Sequence, residues 1–251
     1  MMANLRKLMA AFAVATLSLT ASAKDFIDYS PAKRLLEVDV HALVGSSTVT
    51  QNYRSCFPQI QNINSNMGIS LGVGARAVFG IREWIGFGTA IDLSLNNYNM
   101  DMTVIDRENQ GMSAIYVDNH MYKLNVPVFV SFRFKVDRNV RWNVDAGLYY
   151  NYGIGGRQKQ QIYRAEINEL DELVSQNVTI RTDYYHSRAT FVNGFNRGDI
   201  GLHLGTSLNF GKHLVVGCQF QIGFKNQARS LGVINPNIHN LGLHGMIGYR
   251  F

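Results

Sequence analysis

Cysteine, proline and tryptophan are scarce in this 251-residue chain, at two, four and two residues. Two cysteines make no disulfide framework. Cys56 falls in a segment read as a loop and Cys218 in the middle of an apolar face, so both are expected to be free thiols. Long apolar runs are missing too. After residue 23 no stretch is apolar enough for a membrane helix, which excludes a helical membrane protein. Blocks of like charge are absent as well. The formal net charge of +6 is spread along the chain and partly belongs to Arg6 and Lys7, so no nucleic-acid footprint is expected.

The first 23 residues do carry a pattern. Arg6 and Lys7 precede an apolar run over residues 8–20, and Ala21-Ser22-Ala23 gives the small-x-small site of a secretory signal peptide. The reading is a leader over 1–23 and one mature domain over 24–251. No cysteine sits near the cut, so no lipoprotein anchor is expected.

The rest of the chain alternates with a period of two, the signature of strands with two unlike faces. Leu36, Val38, Val40, Ala42 and Val44 oppose Glu37, Asp39 and His41. Ile69, Leu71, Val73, Ala75, Ala77 and Phe79 oppose Gly68, Ser70, Gly72, Gly74 and Arg76. Similar runs place eight strands at about 36–45, 68–80, 85–95, 122–134, 141–153, 199–210, 213–225 and 239–251. A soluble sandwich also alternates. Three features favour a membrane sheet instead. Most runs have the ~9–11 or more residues that a tilted strand needs to cross a bilayer. The non-apolar face is rich in glycine, serine, asparagine and charge, which suits a barrel lumen better than a packed core. Connections alternate between short turns (81–83, 135–141, 211–212) and long loops (46–67, 97–121, 154–198, 226–238), the rhythm of outer-membrane barrels with short periplasmic turns. Phe79, Trp84, Phe134, Trp142, Phe210 and Phe251 would form the inner aromatic girdle, and Tyr122, Tyr152 and Phe224 the outer one. Hydrocarbon leaves no backbone polar group a solvent partner, so such a sheet must close. The expected fold is all-β, a transmembrane up-and-down antiparallel β-barrel of eight strands. Pro127, inside the fourth strand, predicts a bulge or bend.

The run Lys123-Leu124-Asn125-Val126-Pro127-Val128-Phe129-Val130-Ser131-Phe132-Arg133-Phe134 resembles the proline-bearing strand of the PorT-like outer-membrane barrel family. The ending Gly248-Tyr249-Arg250-Phe251 resembles the C-terminal assembly signal of outer-membrane barrels, with Tyr249 and Phe251 as its aromatics. The likeness spans residues 36–251. It implies residence in the bacterial outer membrane, contact with lipid bilayer and lipopolysaccharide, and delivery through the barrel assembly machinery. The family takes its name from a component of a protein-secretion system, and its members are diverse.

By parity, Glu37, Asp39, His41, Arg76, Asp92, Arg133, Asp145, His203, His244 and Arg250 point into the lumen. Charges there must be paired or hydrated. Both signs occur in similar number, which favours a polar filling over a selective pore. Arg133 is expected to pair with Asp145, and Arg250 with Glu37 or Asp39 across the closing seam. His41 and His244 fall on strands that become neighbours on closure, yet no cysteine or carboxylate spacing accompanies them, so no metal or other cofactor is expected. An acyl-transfer enzyme would need serine within reach of histidine. His186-Ser187 point apart, and His203 and Ser207 stand about 13 Å apart along a strand, so catalysis is not expected. Within 154–198, the apolar residues Ile167, Leu170, Leu173, Val174 and Val178 have helical spacing, which predicts a short amphipathic helix over Arg164–Val178. Gln176–Tyr185 and Arg188–Val192 are alternatively read as strands above the membrane, even as a ninth and tenth strand. The functional expectation is a structural or interaction protein that conducts little or nothing, with a protein partner at 154–198. A small-solute porin and an accessory barrel of a secretion machine are the alternatives.

Overall fold

The computed structural model describes residues 26–106, 111–167, 172–186, 194–229 and 236–251. The expected leader, residues 1–23, lies outside the described residues. Nine strands follow in chain order: β1 (Leu36–Gln51), β2 (Ile60–Arg82), β3 (Ile85–Asp106), β4 (Gly111–Asp137), β5 (Val140–Ile167), β6 (Leu173–Asp183), β7 (Gly198–Phe210), β8 (Leu214–Gly223) and β9 (Ile238–Arg250). One helical turn, α1 (Tyr53–Cys56), follows β1.

All pairings are antiparallel. β1 pairs with β2, β2 with β3, β3 with β4, β4 with β5, β7 with β8 and β8 with β9. The inner half of β5 pairs with β7, and β9 returns to β1 from Asp39↔Arg250 to Gln51↔Ile238. These eight strands close a ring, so that, apart from a short gap beside Pro127, backbone donors and acceptors are met within the sheet. β6 stands outside the ring and pairs with the outer half of β5, from Arg157↔Asp183 to Ile167↔Leu173.

The ring wears its apolar residues outward. Val44, Val73, Ile91, Leu148 and Ile247 are between 52% and 61% exposed, while Asp92, Asp145, Ser131 and Asn209 are 3% exposed or less. Above the ring the polarity inverts. On β3, Ile91 and Leu93 face out, whereas Tyr98, Met100 and Met102 point in at 1%, 2% and 6% exposure. On β4, Ile115, Val117 and Met121 are buried just beyond the buried Lys123 and Asn125. The strands keep their period of two across this boundary, but the solvent for the outer face changes from lipid to water. An apolar core therefore forms inside the wall. Tyr53, Phe57, Ile60, Tyr98, Tyr184, Tyr185, Phe195 and Ile238 belong to it.

The expected strand ends therefore needed correction. β2 to β5 have 23, 22, 27 and 28 residues, about twice a tilted membrane crossing. Most of the expected loops at 46–67, 97–121 and 154–198 is strand. The helix expected over Arg164–Val178 is instead a β-hairpin as far as it is described: residues 168–171 lie outside the described residues, while Ile162 sits opposite Val178 and Ile167 opposite Leu173. Apolar positions that repeat at helical spacing along the chain are here matched across two strands. The expected strand over Gln176–Tyr185 corresponds to the later part of β6, whereas 187–193 lie outside the described residues. Pro127 produces no bulge. The β3–β4 ladder omits Ala90 and Ile91 opposite Pro127 and Val126, then resumes in unchanged register at Asp92↔Asn125.

At the short-turn end the segment 26–35 crosses the rim. Lys135 N donates to Phe26 O (3.0 Å), Glu83 N to Ser30 O (3.0 Å) and Gly80 N to Leu35 O (2.9 Å). Phe26 stacks on Phe134 at 4.8 Å and leans on Trp142 at 6.4 Å. Residues 26–35 thus strap the β2–β3 and β4–β5 turns together. The β7–β8 turn holds Gly211 at φ +59°, a left-handed conformation suited to glycine.

Candidate functional site

The interior of the ring is stacked in polar tiers. At the turn end, Glu37 receives three guanidinium groups. Arg141 grips it through both terminal nitrogens, with Nη1 2.9 Å from Oε1 and Nη2 bonded to Oε2; Arg250 Nη1 lies 3.3 Å from Oε2 and Arg133 Nη1 3.5 Å from Oε1. One tier further in, Arg76 bridges Asp39 (Nε to Oδ2, 2.8 Å) and Asp145 (Nη1 to Oδ2, 3.1 Å). His41 lies between Asp92 (2.9 Å) and Asp39 (3.3 Å), and Ser131 donates to the other oxygen of Asp145. The third tier joins Ser70 to His244 Nε2 (2.9 Å), Lys123 Nζ to Asn240 Oδ1 (3.2 Å), and both Asn240 and Tyr149 to Asp199 Oδ2 at 2.7 and 3.0 Å.

Among the described residues, small cavities of about 30 and 20 Å³ lie within these tiers. Each holds no more than a water or two. Beyond them the outer apolar core covers the mouth. Tyr98 OH and Tyr184 OH are 2.9 Å apart, Tyr184 stacks on Phe195 at 4.2 Å, and burial holds both phenols above the usual tyrosine range.

All ten residues read as lumenal stand on the inner face. Glu37, Asp39, His41, Arg76, Asp92, Arg133, Asp145, His203 and His244 are buried, and Arg250 is half-buried. The expected pairing of Arg133 with Asp145 is replaced. Register sets Arg133 opposite Asn143 and Asp145 opposite Ser131; Ser131 and Arg76 occupy the Asp145 carboxylate, and Arg133 turns to Glu37. Gly86 gives Arg133 its room, since a Cβ there would sit 2.6 Å from Nη2. His41 and His244 are on paired strands yet bind different partners. His203 Nδ1 meets Gln221 (3.2 Å) and has no bond to Ser207, whose hydroxyl is buried without a partner; this pair builds no dyad. Among the described residues no group of three or more His, Cys, Asp or Glu side chains could hold a metal ion.

Arg141, Lys123 and Asp199 were missed as interior groups. Parity with Asn143, Asn125 and Gly201 was enough to find them. Tyr98 and Tyr184 were not accessible in that way, because there the apolar side faces in.

The sequence matches the family described as outer membrane protein beta-barrel domain over residues 29–229. The chain belongs to that family. It is therefore a β-barrel of the bacterial outer membrane, with its short turns at the periplasmic end. Among solved structures, the attachment invasion locus protein Ail of Yersinia pestis is similar at 10% identity, with 87% of this chain and 100% of that chain covered and a TM-score of 0.36. Neisserial surface protein A is similar at 9% identity, 87% and 98% coverage and a TM-score of 0.35. OprG of Pseudomonas aeruginosa is similar at 7% identity, 89% and 99% coverage and a TM-score of 0.34. No curated protein matches the chain in sequence.

Proposed function

We propose that this barrel is a closed, non-catalytic anchor that carries a recognition sheet outside the cell. The observation that carries the reading is the union of a filled interior with a tall outer wall ending in β6. Side chains of an eight-stranded ring fill its interior, and here they are cross-bonded in three tiers beneath an aromatic cover. The outer wall has a water-facing surface and an apolar core, as soluble sheets do. Among the described residues, no strand pairs with the second edge of β6, and most of its residues are exposed on both faces. A free edge of that kind accepts an extended segment of a partner protein through main-chain hydrogen bonds. The leader over 1–23 would deliver the chain to the assembly machinery, and lipid and lipopolysaccharide would surround the apolar belt. The resemblance of Lys123–Phe134 to the proline-bearing strand of PorT-like barrels supports a secretion component as one class of partner.

The test replaces residues 160–180 with an Asn-Gly turn, which keeps Tyr184, Tyr185 and Phe195 in place. The expected variant folds and inserts, shown by heat-modifiable migration, but no longer retains the partner recovered with the intact barrel or rescues a deletion strain. Full function without the hairpin, or steady solute-selective conductance of the intact barrel, would overturn the reading.

A further inference from the structure

At the short-turn end the ring opens into a cavity of about 320 Å³ lined by the strap, the turns and the rim of the barrel. Its floor is the guanidinium cluster on Glu37. Arg133, Arg141 and Arg250 all line it, and although Glu83 and Asp145 also lie near Arg133, three cations share the one carboxylate that they all bind, so the cluster keeps a surplus of positive charge. Two further nitrogens of these side chains, Arg133 Nη2 (beside Gly86) and Arg141 Nε, are buried away from the cavity without a hydrogen-bond partner among the described residues. Buried donors of charged groups are costly to leave unmet.

Lys33, Lys135, Arg138 and Lys212 add four cations to the cavity wall, against Asp28, Glu83 and Asp137. Each of these acids accepts from a backbone amide, Asp28 from Ser30 N at 3.0 Å, Glu83 from Lys33 N across the strap, and Asp137 from Arg138 N at 2.7 Å. They cap the strap and the turn. Even with their three charges and that of Glu37 counted, the seven cations leave the cavity positive. The cavity is at the small end of ligand sites, so its occupant is compact.

We propose that this vestibule is a binding site for a phosphate dianion, either free phosphate or a phosphomonoester, taken from the periplasmic side. The geometry selects charge density. The three guanidiniums converge on the two oxygens of a single carboxylate, so the surplus is concentrated at one place and suits a tetrahedral dianion rather than a spread dicarboxylate. A phosphomonoester carries close to two charges near neutral pH and three acceptor oxygens, and arginine's planar fork matches them.

The experiment titrates the full-length folded barrel in detergent by calorimetry at constant ionic strength, with inorganic phosphate in one arm and short-chain phosphatidic acid in the other. Saturable one-to-one binding of inorganic phosphate assigns a soluble ligand, and binding of phosphatidic acid alone assigns a lipid one. Arg141→Gln should weaken binding roughly tenfold or more, the loss of one charge-assisted contact, while Glu37→Gln should tighten it by freeing the cluster. Where Arg141→Gln does not fold, the exposed pair Lys135→Gln and Lys212→Gln should still weaken binding several-fold with heat-modifiable migration unchanged. Absence of saturable binding in both arms, equal binding of succinate, or affinity indifferent to these substitutions in folded protein would overturn the proposal.

Discussion

At the scale of the residue, position on the inner face matters less than which charges share a tier. Arg76 is buried against Asp39 and Asp145 together, with the Asp39–His41–Asp92 chain beside it. Removing one member of a buried pair leaves an unmatched charge, at a cost of about 3–5 kcal/mol. Arg76→Met should therefore lower the unfolding free energy in urea by that order, and adding Asp145→Asn should restore part of it. A double-mutant cycle with strictly additive losses would remove the bridge from the account. The terminal residue carries a different load. Phe251 N donates to Val38 O (3.0 Å), Arg34 Nη1 donates to Phe251 O (2.9 Å), and its ring meets Tyr249 at 5.3 Å. Phe251→Ala should reduce the heat-modifiable fraction recovered from outer membranes, and an unchanged yield would clear the ring of an assembly role.

At the scale of the element, the long strands are two structures on one backbone. Below the boundary near Asn96 the inner face is polar, and above it the inner face is mainly apolar, with Asn119, Gln158 and Gln160 bonded among themselves within it. Tyr98→Ala combined with Tyr184→Ala should loosen the upper half alone. The expected outcome is faster hydrogen exchange and proteolysis in 98–104 and 173–185, with the ring still protected; uniform loss of protection along β3 would show a single cooperative unit instead. The same boundary decided what the sequence could disclose. The eight crossings were legible because Val40, Val73, Ile91 and Leu148 repeat every second residue beside glycines and charges. Strand ends were not legible, because Tyr98-Asn99-Met100-Asp101-Met102 alternates in the opposite sense and reads as irregular when apolar is taken to mean outward. The β5–β6 hairpin was hidden for another reason. Its apolar pairs, Ile162 with Val178 and Ile167 with Leu173, are set by register, which the order of residues along one strand does not display. The lumenal residues were legible by parity, whereas the choice of Glu37 over Asp145 by Arg133 depends on packing across the ring.

At the scale of the whole molecule, two barriers lie in series along the axis: the ion-paired tiers and the aromatic cover. Planar-bilayer recordings of the intact barrel should show no steady conductance, and the Tyr98→Ala, Tyr184→Ala variant should stay silent too, because Arg76 and its carboxylates still span the interior. Current through that variant would mean that the cover alone closes the barrel. The ring is also uneven around its circumference. The seam between first and last strands extends from Asp39 to Gln51 along β1, whereas β8 meets β9 only from Leu214 to Ile222 and β7 only from Leu214 to Gly223. Joints of unequal length do not yield together. Sideways strain in the bilayer would part the wall first on either side of β8, one strand in from the last, and the place where the polypeptide was sewn shut would still hold while those two shorter joints opened.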